Sequence, residues 1–138
     1  MSMLPKVEIF AGLSEEEQAA LENSCVTRNY PRNTVVINVN DFADSLYVIE
    51  SGRVKVYCSD KNGKEYIMNT LGPGDYFGEL ALLDDDRRSA SVRTLEKSTF
   101  TIMFKDEFHA IMERHPNIAT TLIRNLTRRV RKLTENVK

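Results

Sequence analysis

The chain is poor in the residues that most often announce metal chemistry, disulfides or a membrane. It holds two cysteines and two histidines in 138 residues. Cys25 and Cys58 sit far apart in apolar, strand-like runs, which fits buried free thiols rather than a disulfide or a metal pair. His109 and His115 lie together in a helical stretch outside the strand region and read as structural or surface groups. A metal-dependent enzyme on a β-roll needs clustered histidines and a carboxylate, so the expectation is no enzyme and no metal. No apolar run approaches the roughly 20 residues that cross a bilayer, and MSMLPKVEIF lacks the basic-then-apolar order of a secretory signal. A cytoplasmic location without membrane contact is expected. Internal repeats and low-complexity segments are also lacking.

What the chain does have is an ordinary globular composition, 41% hydrophobic and 28% charged, at a length that suits one core. Its net charge of −1 conceals an asymmetry. From Thr121 onward Arg124, Arg128, Arg129, Arg131, Lys132 and Lys138 face one acid, Glu135, which leaves the remainder acidic. An acidic body argues against broad nucleic-acid binding, and the basic face of the last segment reads first as a solvated one.

Periodicity divides the chain. Ser14 with Glu17 three residues later forms a capping box, predicting a short helix through about Leu21. From Cys25 to Phe104 runs rich in Val, Ile, Thr, Tyr and Phe recur: CVTRNY, TVVIN, SLYVIE, RVKVYCS, EYIMNTL, SASVRT and STFTIMF. Turn residues separate them, which predicts an antiparallel sandwich or barrel with a tight hairpin turn at Asn62-Gly63. Alternation in Arg53 to Tyr57 points Val54 and Val56 inward. Phe104, Phe108, Ile111 and Met112 then mark a short amphipathic helix, interrupted at His115-Pro116. In the final helix Ala119, Ile123, Leu126, Val130, Leu133 and Val137 alternate spacings of four and three, a heptad seam that calls for a partner helix. No Gly or Pro closes that helix before Lys138, so the pattern predicts an element that continues in a longer protein.

The segment FGELALLDDDRRSASV, Phe77 to Val92, carries the chemistry. Gly74 and Gly78 allow close backbone approach, and Gly78-Glu79-Leu80-Ala81 suits a single helical turn whose free N–H groups favour an anion. Arg88 supplies a fork that grips phosphate oxygens, Ser89 a hydroxyl and Ala90 an amide, while a carboxylate such as Glu79 accepts from sugar hydroxyls. Together they suit a sugar phosphate. Asp84, Asp85 and Asp86 do not alternate as the oxygen ligands of a calcium loop do and read as a solvated turn. Arg87 reads as a solvated neighbour of Arg88.

GPGDYFGELALLDDDRRSASV resembles the phosphate-binding cassette of the cyclic-nucleotide-binding domain. The order of elements is similar too: an N-terminal helix, an eight-stranded antiparallel β-roll of jelly-roll type, and C-terminal helices. RNLTRRVRKLTENVK resembles the dimer helix of Crp/Fnr-type bacterial transcription regulators. The resemblance implies a roll domain over residues 1–115 and a dimerisation helix over 116–138, with DNA contacted only through a further domain beyond it. It implies cAMP as effector, with cGMP the other candidate, and a homodimer. It assigns Glu79 to the ribose 2′-hydroxyl and Arg88 to the cyclic phosphate, with Gly78, Leu80, Ser89 and Ala90 completing the site. Thr134 falls where the dimer helix meets the base, and Arg129 where it can face Glu79. Leu133 stands where a second hydroxyl is expected. Two distant cysteines do not supply the iron–sulfur ligands of the family's oxygen sensors. The competing reading is a ligand-independent dimerisation scaffold on the same fold.

Overall fold

The computed structural model describes residues 3–84 and 86–135, and for Leu80 and Ala81 the backbone alone. Two short 3₁₀ turns, Leu4–Lys6 and Glu8–Phe10, lead to helix α1 at Glu15–Asn23. Its capping box is complete: Ser14 Oγ accepts from the Glu17 amide at 3.1 Å, and Glu17 Oε1 accepts from the Ser14 amide at 2.9 Å. Both 3₁₀ turns are too short to leave a periodic signal in the sequence.

Eight strands follow: β1 Val26–Tyr30, β2 Val35–Ile37, β3 Ser45–Ser51, β4 Val54–Ser59, β5 Glu65–Leu71, β6 Tyr76–Phe77, β7 Ser91–Thr94 and β8 Ser98–Phe104. They form two four-stranded antiparallel sheets, ordered β1-β8-β3-β6 and β2-β7-β4-β5. Seven of the strands coincide with the apolar runs; β6, two residues long, does not stand out in the sequence.

Strand β8 explains how the layers meet. Phe100 and Ile102 point between the sheets, where they join Ile37, Ile49, Val54 and Phe77. Met103 points the other way, into a second core with Leu46, Phe10, Leu21, Phe108 and Ile111 beneath the helices. Burial on both faces is why β8 ends in the unbroken apolar run Ile102-Met103-Phe104.

One expectation needs correction. The β4–β5 connection is not a two-residue Asn-Gly turn. Gly63 N–H donates to Asp60 O at 3.0 Å and Asp60 N–H to Lys64 O at 3.0 Å, so three residues form the loop, and only Gly63 takes a positive φ, +82°. Asp60 Oδ1 accepts from the amides of Asn62 and Lys64 at 2.9 Å, which favours this wider form. Along β4 the expected alternation holds: Val54 lies in the core between the sheets and Val56 packs against it, while Tyr57 shares the other face with Lys55 and Arg93. The bulge opposite Val56 and Tyr57 inserts Met68 into β5.

Helix α2 spans Lys105–Arg114 and α3 Pro116–Glu135, with the break at His115-Pro116. Helix α3 has two stripes. Ile118, Thr121, Leu122 and Asn125 are buried against the domain, and Asn125 Nδ2 donates to Ile9 O and Ala11 O at 3.0 Å each. On the other side Ile123, Val130 and Leu133 remain 60–63% exposed. Leu126, read as a seam residue, packs partly on its own domain core. Val137 lies outside the described residues.

Candidate functional site

Strand β6 ends at Phe77 and the chain turns at Gly78, φ +81°, into a 3₁₀ turn at Glu79–Leu82. A Cβ at Gly78 would stand 2.4 Å from Arg88 Nη1 and 2.8 Å from Ser45 O. Glycine is therefore needed here for the backbone and for the space that the guanidinium fills.

Arg88 is held in three ways. Its amide donates to Asp41 O at 2.8 Å, and its carbonyl accepts from Asn40 N–H at 2.9 Å, so the β2–β3 loop zips against it. Its side chain is buried, and Nη2 donates to Ser45 O at 2.8 Å and Ser45 Oγ at 3.3 Å, with Asp44 Oδ1 at 3.9 Å. Nη1 and Nε make no bond to any described residue. Burial lowers the Arg88 pKa, against the pull of Tyr47 and Asp44, yet a guanidinium stays charged. A buried cation with spare donors is an anion seat.

Glu79 sits across the same cleft, its side chain 17% exposed. Arg129 of α3 reaches over, donating from Nη1 to Glu79 Oε1 and to the Tyr76 hydroxyl, each at 3.1 Å. The cleft has a volume of about 640 Å³, ordinary for a small-molecule site. Gly78, Glu79, Arg88, Ser89, Ala90 and Arg129 line its polar side, and Ile37, Val56, Met68, Leu71 and Val92 its apolar wall.

Six of the eight site residues read from the sequence thus meet in one place. The Leu80 side chain lies outside the described residues. Thr134 is not brought to the cleft: it is exposed on α3, and its hydroxyl donates to Val130 O at 3.0 Å. Arg87, taken as a bystander, is exposed but lines the cleft; it donates to Asn40 O at 2.9 Å and stacks on Phe42, 4.2 Å from the ring centroid. Asp84 and Asp86 accept from backbone amides of their own turn, as loop aspartates do, while Asp85 lies outside the described residues. No group of three metal-ligating side chains occurs among the described residues.

Sequence reasoning missed the supports. Ser45 and Tyr76 carry no motif of their own. His109 Nε2 is 2.9 Å from Leu82 O, and Lys105 Nζ donates to Asp84 O, so α2 holds the end of the turn that begins at Glu79 and the loop just after it. Cys25 and Cys58 are half-buried free thiols, and burial pushes Cys25 up to about 12. Among the described residues no helix is long and apolar enough to cross a membrane.

Comparison with known proteins shows the family and the fold. The family model described as "Cyclic nucleotide-binding domain" matches residues 27–115. The chain is 33% identical over 89% of its length to the "Cyclic AMP receptor protein" of Thermus thermophilus, covering 57% of that protein. It is 31% identical over 98% of its length to the "CRP-like cAMP-activated global transcriptional regulator" of Mycobacterium tuberculosis, covering 60% of it. It thus spans a little under two thirds of these relatives. The solved N-terminal domain of a transcriptional regulator from Streptomyces coelicolor superposes with a TM-score of 0.90 at 28% identity, covering 99% of this chain and 96% of that one. The chain belongs to the cyclic nucleotide-binding domain family, and within it resembles the N-terminal effector domains of Crp-type transcription regulators.

Proposed function

We propose that this domain is a cytoplasmic, non-catalytic cAMP sensor, with cGMP the other candidate effector, that controls an attached transcriptional output allosterically. The observation that carries the reading is the shared cleft of Glu79 and Arg88. A buried guanidinium with free donors suits a cyclic phosphate, and a carboxylate accepts from a ribose hydroxyl. Gly78, Ser89 and Ala90 complete the anion side, and the backbone of Leu80 belongs to the same turn.

The switch lies in α3. Arg129 ties this helix to Glu79, the group that would hold the sugar, so ligand and helix act on one carboxylate. A ligand that binds better with α3 in one position shifts the population toward that position. The exposed stripe of Ile123, Val130 and Leu133 pairs with the same stripe of a second copy. In that heptad register Arg129 occupies a g position and Thr134 the facing e position, so Thr134 approaches the cleft from a second copy rather than from its own. A homodimer would present paired DNA-binding domains beyond residue 138.

The test is calorimetric titration with cAMP and cGMP. Tight binding by the parent and a loss on the order of 2–5 kcal/mol in Arg88→Ala are expected, because the variant leaves a buried phosphate without its cation. Equal binding by the two proteins would reject the assignment. Absence of binding to either nucleotide by a folded parent would favour the scaffold reading.

A further inference from the structure

The cleft is lined by a cation that the anion seat does not use. Arg87 stands beside Arg88 in the chain and is exposed where Arg88 is buried. Its backbone is fixed: Arg87 and Phe42 form an isolated antiparallel bridge, and the Ala43 amide donates to Asp86 O at 3.3 Å. Its side chain is fixed as well, by the bond from Nη1 to Asn40 O and by the Phe42 ring beneath the guanidinium. Phe42 is 73% exposed, an unusual place for so large an apolar ring, and this cation is its ring partner. Nη2 and Nε of Arg87 make no hydrogen bond with any described residue, and no carboxylate among those residues pairs with it. The exposed acids that line the cleft, Glu8, Asp75, Asp84 and Asp86, all oppose the entry of an anion.

We infer that Arg87 is a ligand-capture residue, which draws the anionic nucleotide past these acids toward Arg88 and sets the rate of association rather than the strength of the seated complex. This deepens the cyclic-nucleotide reading and rests on it. A charge that guides encounter acts through solvent over about a Debye length, roughly 10 Å at 0.1 M salt and 30 Å at 0.01 M, and its loss appears in kon. A buried cation acts at contact, and its loss appears in koff. The exposure of Arg87 places it in the first class and the burial of Arg88 places that residue in the second. Pinning by Asn40 and Phe42 adds to the effect, because a guanidinium already held in place gives up little freedom when the anion arrives. Without Arg87, the exposed side chains just ahead of the seat in this loop, Asp84 and Asp86, are both acidic.

The experiment is stopped-flow measurement of kon and koff with cAMP and cGMP carrying a fluorophore on the base, at low and high salt. It compares the parent with Arg87→Gln, Arg87→Lys and Arg131→Gln, the last removing an exposed cation of α3 that does not line the cleft. In Arg87→Gln kon is expected to fall about three- to fivefold at about 0.01 M salt, with koff unchanged, and the difference to close at about 0.5 M. Arg87→Lys, which keeps the charge, is expected to retain most of the parent kon, and Arg131→Gln all of it. An unchanged kon in Arg87→Gln at low salt overturns the inference, as does a loss carried by koff or an equal fall in Arg131→Gln. In each of those cases a parent that still binds leaves the cyclic-nucleotide reading intact, and only the role of Arg87 fails. If the parent binds neither nucleotide, that reading fails and this inference with it.

Discussion

Arg129 and Glu79 are 50 positions apart in the chain and meet at 3.1 Å, with the Tyr76 hydroxyl taking a second bond from the same nitrogen. The side chains are 39% and 17% exposed, so solvent screens the pair and its share of global stability is small, roughly 1 kcal/mol or less. Its position matters more than its strength. Asn125 is the last buried residue of α3 and Leu126 packs only partly on the core, after which Arg129 hydrogen-bonds across to Glu79. Arg129→Leu is expected to leave thermal stability nearly unchanged and to raise amide hydrogen exchange over residues 128–135. Exchange equal to that of the parent would show that the contact anchors nothing.

Gly78→Ala tests the packing of Arg88 against bare backbone. The backbone conformation alone costs an L-residue roughly 1–2 kcal/mol. The added Cβ also meets Arg88 Nη1 at 2.4 Å and the fixed Ser45 carbonyl at 2.8 Å, so the guanidinium must move. Loss of nucleotide affinity beyond about tenfold is expected. Gly12→Ala is the control: φ is similarly positive at +88°, but nothing lies within 4 Å, so stability falls and affinity holds. Parallel behaviour of the two variants in titration would refute the steric account.

His109 provides a third check. It is exposed on α2, yet its Nε2 meets the carbonyl of Leu82, at the end of the turn that begins with Glu79. Carbonyls at such an end lack intrahelical partners. His109→Ala is expected to weaken cyclic-nucleotide binding about three- to tenfold with little effect on thermal unfolding, and His109→Gln, which keeps a donor, to recover part of it. Identical affinities for all three proteins would make the contact incidental.

Much of this was legible in the sequence because long elements repeat their pattern. The strands of five to seven residues and the capping box at Ser14 carry several independent signals each. Strand β6, Tyr76–Phe77, is two residues long and has no period to detect. The packing stripe of α3 was hidden for another reason: two of its four residues, Thr121 and Asn125, are polar, and Asn125 is buried because two carbonyls of the N-terminal segment satisfy its amide. Glu79 and Arg88 could be named because a carboxylate and a guanidinium in one glycine-turned segment suit a sugar phosphate, and Arg129 because its helix resembles the dimer helix of a known family. Ser45 could not, since the group that holds Arg88 is chiefly its backbone carbonyl, which every residue has.

The exposed stripe of α3 leads to a fourth expectation. Val130 and Leu133 are 61% and 60% exposed, so a charge at either position should not disturb the fold. If the stripe pairs two copies, Val130→Glu places two carboxylates in an apolar seam. Sedimentation is then expected to show a dimer for the parent and a monomer for the variant, with thermal unfolding of the roll domain preserved. Equal sedimentation of both proteins over a wide concentration range would leave the stripe without that role.

Glu17 links pH to stability. Its Oε1 accepts from the Ser14 amide and its Oε2 from Asn117 Nδ2 at 3.0 Å, so one carboxylate caps α1 and ties it to the start of α3. The Ser14 amide first, and then Asn117, hold its pKa below the ordinary value of 4.5. A carboxylate whose pKa is lower in the folded state contributes stability that is fully present above the unfolded value. That contribution is lost as pH falls through the folded one. Glu17→Gln keeps an acceptor but no charge. The parent is therefore expected to exceed the variant by about 1 kcal/mol near pH 7 in urea unfolding, with the gap closing below about pH 4.5. A gap of constant size from about pH 7 to about pH 3 would mean that the carboxylate charge plays no part in holding α1 to α3.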